Sequence, residues 1–245
     1  MKAYDAIVVG GGHAGVEAAH ALAAMGHNTL MISLTLEAIA FLACNPNIGG
    51  TGKGHLVKEV DALGGLMGIL ADKATIQARM LNLGNGPAVH SLRAQVDKAL
   101  YHRLAKQALE STPNLTILEG EVTEILCEGG EITGVKTALG ETYLAKAVVL
   151  CTGVYLDSRI VIGEYSRDSG PSGFQASFRL SESLEKLGIP LMRFKTGTPP
   201  RLLASSIDYS KMAPQYGDKG IPTFSFMSDN FNRNDFLCYL TYTNK

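Results

Sequence analysis

No two cysteines stand at C-x-x-C spacing: Cys44, Cys127, Cys151 and Cys238 are scattered along the 245 residues, and no His/Cys cluster has the spacing of a metal site. That pattern excludes a paired-cysteine redox motif and a structural zinc, and it fits a reducing compartment. Neither sign of charge predominates. With 22 Lys and Arg against 23 Asp and Glu the formal net charge is −1, so composition argues neither for nor against nucleic acid, and any basic surface is local. No apolar run approaches the ~20 residues that cross a bilayer, and there are no internal repeats. A strand-like run starts a few residues after Met1 and leaves no space for a signal or transit peptide, so a cytoplasmic, non-membrane protein is expected.

What is present is concentrated near the start. Residues 6–9, Ala-Ile-Val-Val, are wholly apolar, as in a parallel strand buried on both faces, and run directly into Gly10-Gly11-Gly12-His13-Ala14-Gly15. Helix formers and small residues follow over 14–25, Gly26 supplies a stop, and residues 29–33 read as a second strand. A G-x-G-x-x-G between strand and helix is a dinucleotide fingerprint. Gly10 allows the tight turn, Gly12 lets backbone approach a diphosphate, and Gly15 lets helix and strand pack closely. The diphosphate then lies on the helix N-terminus, where N–H groups and the dipole favour an anion.

One part of the fingerprint is missing. An acid is expected at the end of the second strand to hold ribose hydroxyls, yet the chain reads Ser33-Leu34-Thr35-Leu36-Glu37. Glu37 comes late, and the hydroxyls of Ser33 or Thr35 are the available substitutes. The next block, Cys44-Asn45-Pro46-Asn47-Ile48-Gly49-Gly50-Thr51-Gly52-Lys53-Gly54-His55, describes backbone shaped closely around something. It is not a Walker loop, because Asn47 and Gly54 stand where Gly and Ser or Thr are required.

Further on, residues 56–63 read as a helix, 73–83 as mixed, and 84–87 as a loop. The apolar spacing of Val96, Leu100, Leu104 and Ala108 predicts one amphipathic helix over 92–109. Strands are expected at 115–118, 122–127, 132–137, 141–144 and 147–150, a β-meander followed by an apolar strand that ends in Cys151-Thr152-Gly153. That order suits an FAD domain better than an NAD dehydrogenase. Residues 158–172 read as loop, 174–187 as a helix closed by Gly188, and 191–194 as a strand before the proline-stiffened Lys195-Thr196-Gly197-Thr198-Pro199-Pro200-Arg201. The expected fold class is α/β: a Rossmann-type FAD-binding domain with a β-meander over 1–198, its closing strand absent, and the start of an inserted α+β domain over 199–245.

The glycine fingerprint, the Cys44–Gly50 and Gly52–Gly65 blocks, Gly86-Pro87-Ala88-Val89, Arg93-Ala94-Gln95 and the Lys195–Arg201 segment together resemble the MnmG, or GidA, flavoproteins. The resemblance implies FAD reduced by NADH, tRNA as substrate, a GTPase partner of the MnmE type, methylene-folate as carbon donor, a homodimer, and installation of an aminomethyl or carboxymethylaminomethyl group at C5 of the wobble uridine. Carried over by position, Gly10, Gly11, Gly12, His13, Ala14 and Gly15 hold the FAD diphosphate, Val122 contacts the adenine side, and Ser177 is a further flavin-side position. Cys44 falls in the flavin-facing loop and is the candidate catalytic residue. Family members are much longer, so a fragment or truncated product is expected.

Each candidate has a plainer reading. Cys44 also suits a small buried residue that shapes its loop. Lys53, His55 and Lys58 suit phosphate or flavin contacts, or a solvated helix start. Arg93 and Lys195 suit RNA steering, or simple exposure. His13 reads as packing at the helix start. The rival functions are a general FAD oxidoreductase acting on a small molecule and a non-catalytic fragment.

Overall fold

The structure, a computed structural model, describes residues 3–243. In chain order the first elements are β1 (Ala3–Val9), α1 (His13–Ala24), β2 (Thr29–Ser33), β3 (Asn47–Gly49), α2 (Gly54–Ala62), α3 (Met67–Ala74), β4 (Thr75–Leu81) and β5 (Ser91–Val96). Then come α4 (Lys98–Glu110), β6 (Leu115–Glu119), β7 (Val122–Glu128), β8 (Glu131–Thr137) and β9 (Thr142–Leu150). Last are β10 (Arg159–Ile162), β11 (Tyr165–Asp168), α5 (Arg179–Lys186), β12 (Ala213–Gln215) and β13 (Cys238–Leu240). The fold is α/β and Rossmann-type. Two compact units emerge: Met1–Ala43 with His102–Lys195, and Cys44–Tyr101 with Thr196–Lys245.

The first unit is built on a six-stranded sheet in the order β6-β2-β1-β9-β8-β7. β1 pairs in parallel with β2 and β9, and β2 with β6, while β7, β8 and β9 form an antiparallel meander. Central position explains composition: Ile7, Val8, Leu30, Met31 and Ile32 are essentially inaccessible, as strands covered on both faces demand. The expected strands at 141–144 and 147–150 are one continuous strand, whose beginning pairs antiparallel with β8 and whose length pairs parallel with β1.

The second unit carries a three-stranded antiparallel sheet, β3-β5-β4, and the β12-β13 pair. Residues 44–101 group here with the C-terminal stretch instead of with the nucleotide fingerprint, and hydrogen bonds explain why. Buried Asp72 accepts from the N–H groups of Phe224 and Ser225, both at 2.9 Å, and Asp61 accepts from Phe226 N–H at 2.9 Å. Gln77 donates to the carbonyl oxygens of Gln215 and Phe236.

Several local expectations are corrected. Residues 92–109 are not one helix: Leu92, Ala94 and Val96 alternate inward along β5, and Asp97 then caps α4 by accepting from Ala99 and Leu100 N–H. Residues 158–172, expected as loop, contain the β10-β11 hairpin, turned at Gly163 with φ +59°. The helix expected from 174 starts at Arg179, and residues 191–194 form no strand.

Candidate nucleotide-binding turn and cysteine loop

In the first unit β1 ends at Val9 and the chain turns at Gly10, with φ +110°. Gly10 N–H donates to Ile32 O at 2.8 Å, and a Cβ there would overlap the Cys151 carbonyl oxygen, so the turn is wedged between β2 and the end of β9. A Cβ on Gly15 would overlap the Gly10 carbonyl oxygen, which is the close helix–strand packing the motif predicts. Gly12 differs: a Cβ there would meet nothing within 4 Å, so the helix start faces open space. Gly12 is also the N-cap, without a side-chain cap, and the first turn of α1 holds no acid. First-turn N–H groups lack intrahelical acceptors, so this end of the helix leaves donors that an anion can satisfy.

The surroundings are drawn in by hydrogen bonds. Ala40 N–H donates to Gly11 O at 2.8 Å, and the Phe41 ring meets Phe174 edge-on at 5.3 Å. Cys151 N–H donates to Val9 O at 2.8 Å, Tyr155 N–H to Thr152 O, and Ser177 N–H to Tyr155 O at 2.9 Å. Ser177 is thus carried to the same end of β9 as the glycine turn. The Ser177 and Tyr155 hydroxyls are buried without a hydrogen-bond partner among the described residues. Val122 opens β7 in the buried core, opposite Thr137, whose hydroxyl is likewise buried and unpartnered. Orphan buried hydroxyls cost free energy unless a ligand supplies the missing bond. Together with the open helix start, they fit a polar, diphosphate-bearing cofactor.

His13 and Ala14 begin α1. Burial holds the His13 imidazole below its ordinary pKa of 6.5, which favours a neutral ring at the helix start. Ser33 Oγ donates to Thr35 O at 2.9 Å, and Thr35 Oγ1 accepts from Glu37 N–H at 3.3 Å, so both proposed acid substitutes are engaged locally. Glu37 itself pairs with Lys106 at 3.2 Å.

Cys44 belongs to the second unit. Its loop leads into β3, and its carbonyl oxygen accepts from Arg201 Nη2 at 2.9 Å. The glycine-rich block is shaped around its own neighbours: a Cβ on Gly49 would strike Leu92 O and the Phe224 ring, and Ser91 Oγ donates to Gly50 O at 2.6 Å and accepts from Gly54 N–H. Lys58 is committed to structure, donating to the Thr223 and Phe224 carbonyl oxygens and lying over the Phe226 ring. Lys53 and His55 are exposed. Among the described residues no cluster of His, Cys, Asp or Glu is placed to hold a metal, and no helix is long and apolar enough to cross a membrane.

The family model described as Glucose inhibited division protein A matches residues 5–245. The chain belongs to the GidA family. It is similar to a protein of Lachnoclostridium phytofermentans named tRNA uridine 5-carboxymethylaminomethyl modification enzyme MnmG, at 53% identity over all of this chain and 39% of that protein. A protein of the same name from Alkaliphilus oremlandii is 54% identical over 98% of this chain and 38% of its own length. Its fold is similar to that of Aquifex aeolicus GidA, with a TM-score of 0.92 and 42% identity, over 97% of this chain and 41% of that one. The chain therefore spans about two-fifths of the length of the curated relatives it matches.

For a GidA-family chain the sequence reading overlooked four groups near these places. Thr137 and Tyr155 were hidden because a lone hydroxyl in a strand or turn has no local signature. Lys98 falls inside the amphipathic helix expected over 92–109, and Arg201 closes the proline-stiffened segment. Only the return of residues 196–245 shows that Arg201 donates to the Cys44 carbonyl oxygen.

Proposed function

We propose that this chain is the FAD-binding portion of an enzyme that modifies C5 of the wobble uridine in tRNA, installing an aminomethyl or carboxymethylaminomethyl group. The observation that carries the reading is the Gly10–Gly15 turn, whose helix start opens onto free space with no cap of its own. In this reading Gly10, Gly11, Gly12, His13, Ala14 and Gly15 receive the diphosphate, Val122 lies toward the adenine, and Ser177 supplies a hydrogen bond that its buried hydroxyl lacks within the chain. Bound FAD supplies two-electron redox chemistry, with NADH as reductant. Cys44 is the candidate nucleophile.

Tight glycine packing keeps the turn rigid, so the N–H groups are aimed before ligand arrives and little ordering entropy is lost on binding. A GTPase of the MnmE type, methylene-folate as carbon donor, a homodimer and a cytoplasmic location complete the proposal. Residues 199–245 are read as the start of a domain inserted into the nucleotide-binding domain of residues 1–198. Complementation tests it. A strain lacking its own wobble-uridine modification should regain the modified nucleoside when given the full-length gene, and should lose it again with Cys44→Ser. Full modification by Cys44→Ser reduces Cys44 to packing.

A further inference from the structure

The sheet of the second unit carries a cation that the chain does not neutralise. β3, β5 and β4 lie side by side, and their registers set Gly49 opposite Arg93 and Arg93 opposite Arg79. Leu92, Ala94 and Val96 turn to the buried side, so Arg93 shares the other face with Ser91 and Gln95 of its own strand. Its neighbours on that face are a glycine, a second arginine, a hydroxyl and a carboxamide. Like charges directly opposite on adjacent strands repel, with Cβ atoms about 5 Å apart. Only Arg79 has a counter-charge: its Nε lies 3.3 Å from Asp218 Oδ1, while Asp218 Oδ2 accepts from Met80 N–H at 2.8 Å.

The other acids of the unit are engaged elsewhere or stand apart. Asp61 and Asp72 accept backbone N–H groups, Asp97 caps α4, and Asp208 and Asp235 pair with Lys211 and Arg233. Glu59 and Asp229 are exposed and form no ion pair among the described residues. Arg93 is partly buried, and among the described residues it has neither an ion pair nor a hydrogen bond. Gly50, at φ +101°, leaves room for its stem: a Cβ there would meet only Arg93 Cγ and Cδ, both at 3.9 Å.

We propose that Arg93 receives a phosphate of the RNA backbone, with Arg79 beside it adding to the positive field. The inference deepens the reading of tRNA as substrate and rests on it. A guanidinium presents paired N–H groups that match two phosphate oxygens. A partly buried charge without a partner costs free energy, as does the repulsion between the two arginines, and a phosphate on Arg93 relieves both.

The test is binding of a synthetic anticodon stem-loop RNA to the 245-residue chain, followed by fluorescence anisotropy over a salt series, beside a flavin-fluorescence titration of FAD and a thermal melt. Arg93→Gln should bind the RNA about tenfold less tightly, as expected on losing a charge-assisted hydrogen bond. The slope of log affinity against log salt should fall by about one phosphate contact. Without RNA its melting temperature should hold or rise, because repulsion from Arg79 is relieved and no partner is lost, and its FAD affinity should match the parent's. Arg93→Lys should keep the salt slope and lose part of the affinity, because the charge stays and the planar fork does not. Equal RNA affinity in Arg93→Gln overturns the assignment. So does a lowered melting temperature, which marks a structural partner, or a loss confined to FAD, which gives the phosphate to the flavin nucleotide. No RNA binding by the parent refutes the tRNA reading together with this site, whereas binding that Arg93→Gln leaves intact refutes the site alone.

Discussion

Gly12 and Gly15, three residues apart, have opposite requirements. Gly15→Ala drives a methyl into the Gly10 carbonyl and should destabilise the chain by about 1–3 kcal/mol, read as a fall in melting temperature. Gly12→Ser should not. Its φ of −69° and ψ of −175° suit any residue, its Cβ points into open space, and serine is a better N-cap than glycine by a few tenths of a kcal/mol, about the margin that melting resolves. The same hydroxyl occupies the N–H groups meant for the ligand, so Gly12→Ser should keep its melting temperature and lose flavin affinity. His13 adds a pH dependence. Its pKa is lowered in the folded state, so the unfolded chain binds a proton that the native chain resists, and stability falls as pH drops below about 6.5. Comparing urea midpoints of the parent and His13→Gln at about pH 7.5 and 5.5 should show a smaller acid loss in the variant. These glycine roles were legible in the sequence because each depends on neighbours within the motif. The missing ribose acid was legible too, whereas the local hydrogen bonds of the Ser33 and Thr35 hydroxyls to adjacent backbone were not.

Among the elements, β5 and α4 show how one sequence signal hides another. Leu92, Ala94 and Val96 alternate with Arg93 and Gln95, but this short period-two run abuts a longer helical stripe and was absorbed into it. The β10-β11 hairpin escaped for another reason: its residues are nearly all exposed, so no buried face imposes a pattern. The segment around Phe224 is held by partners distant in sequence, with Asp72 receiving two backbone N–H groups in the interior. Asp72→Ala leaves both donors unsatisfied and should cost about 2–5 kcal/mol in chemical denaturation. Asp72→Asn keeps one acceptor oxygen and should cost less.

Taken whole, the fold class was readable because parallel strands at the centre of a sheet favour continuous apolar runs, as at residues 6–9 of β1 and 30–32 of β2, and because residues 147–150 of β9 form such a run although they are partly exposed. The division into units was not, because residues 44–101 and 196–245 are joined by side-chain-to-backbone bonds that no local periodicity encodes. The division also sorts charge. The second unit has eleven basic and eight acidic residues, a formal +3, against eleven and fifteen, −4, in the first. The proposed binding of tRNA would draw on this excess of positive charge, and a filter-binding titration should then show it weakening steeply with added salt. The nucleotide-binding turn is the central claim, and titrating FAD into the purified chain while following flavin fluorescence tests it most directly. Saturable one-to-one binding that Gly12→Ser abolishes, at unchanged melting temperature, is the predicted result; no binding by the parent, or equal binding by Gly12→Ser, contradicts it.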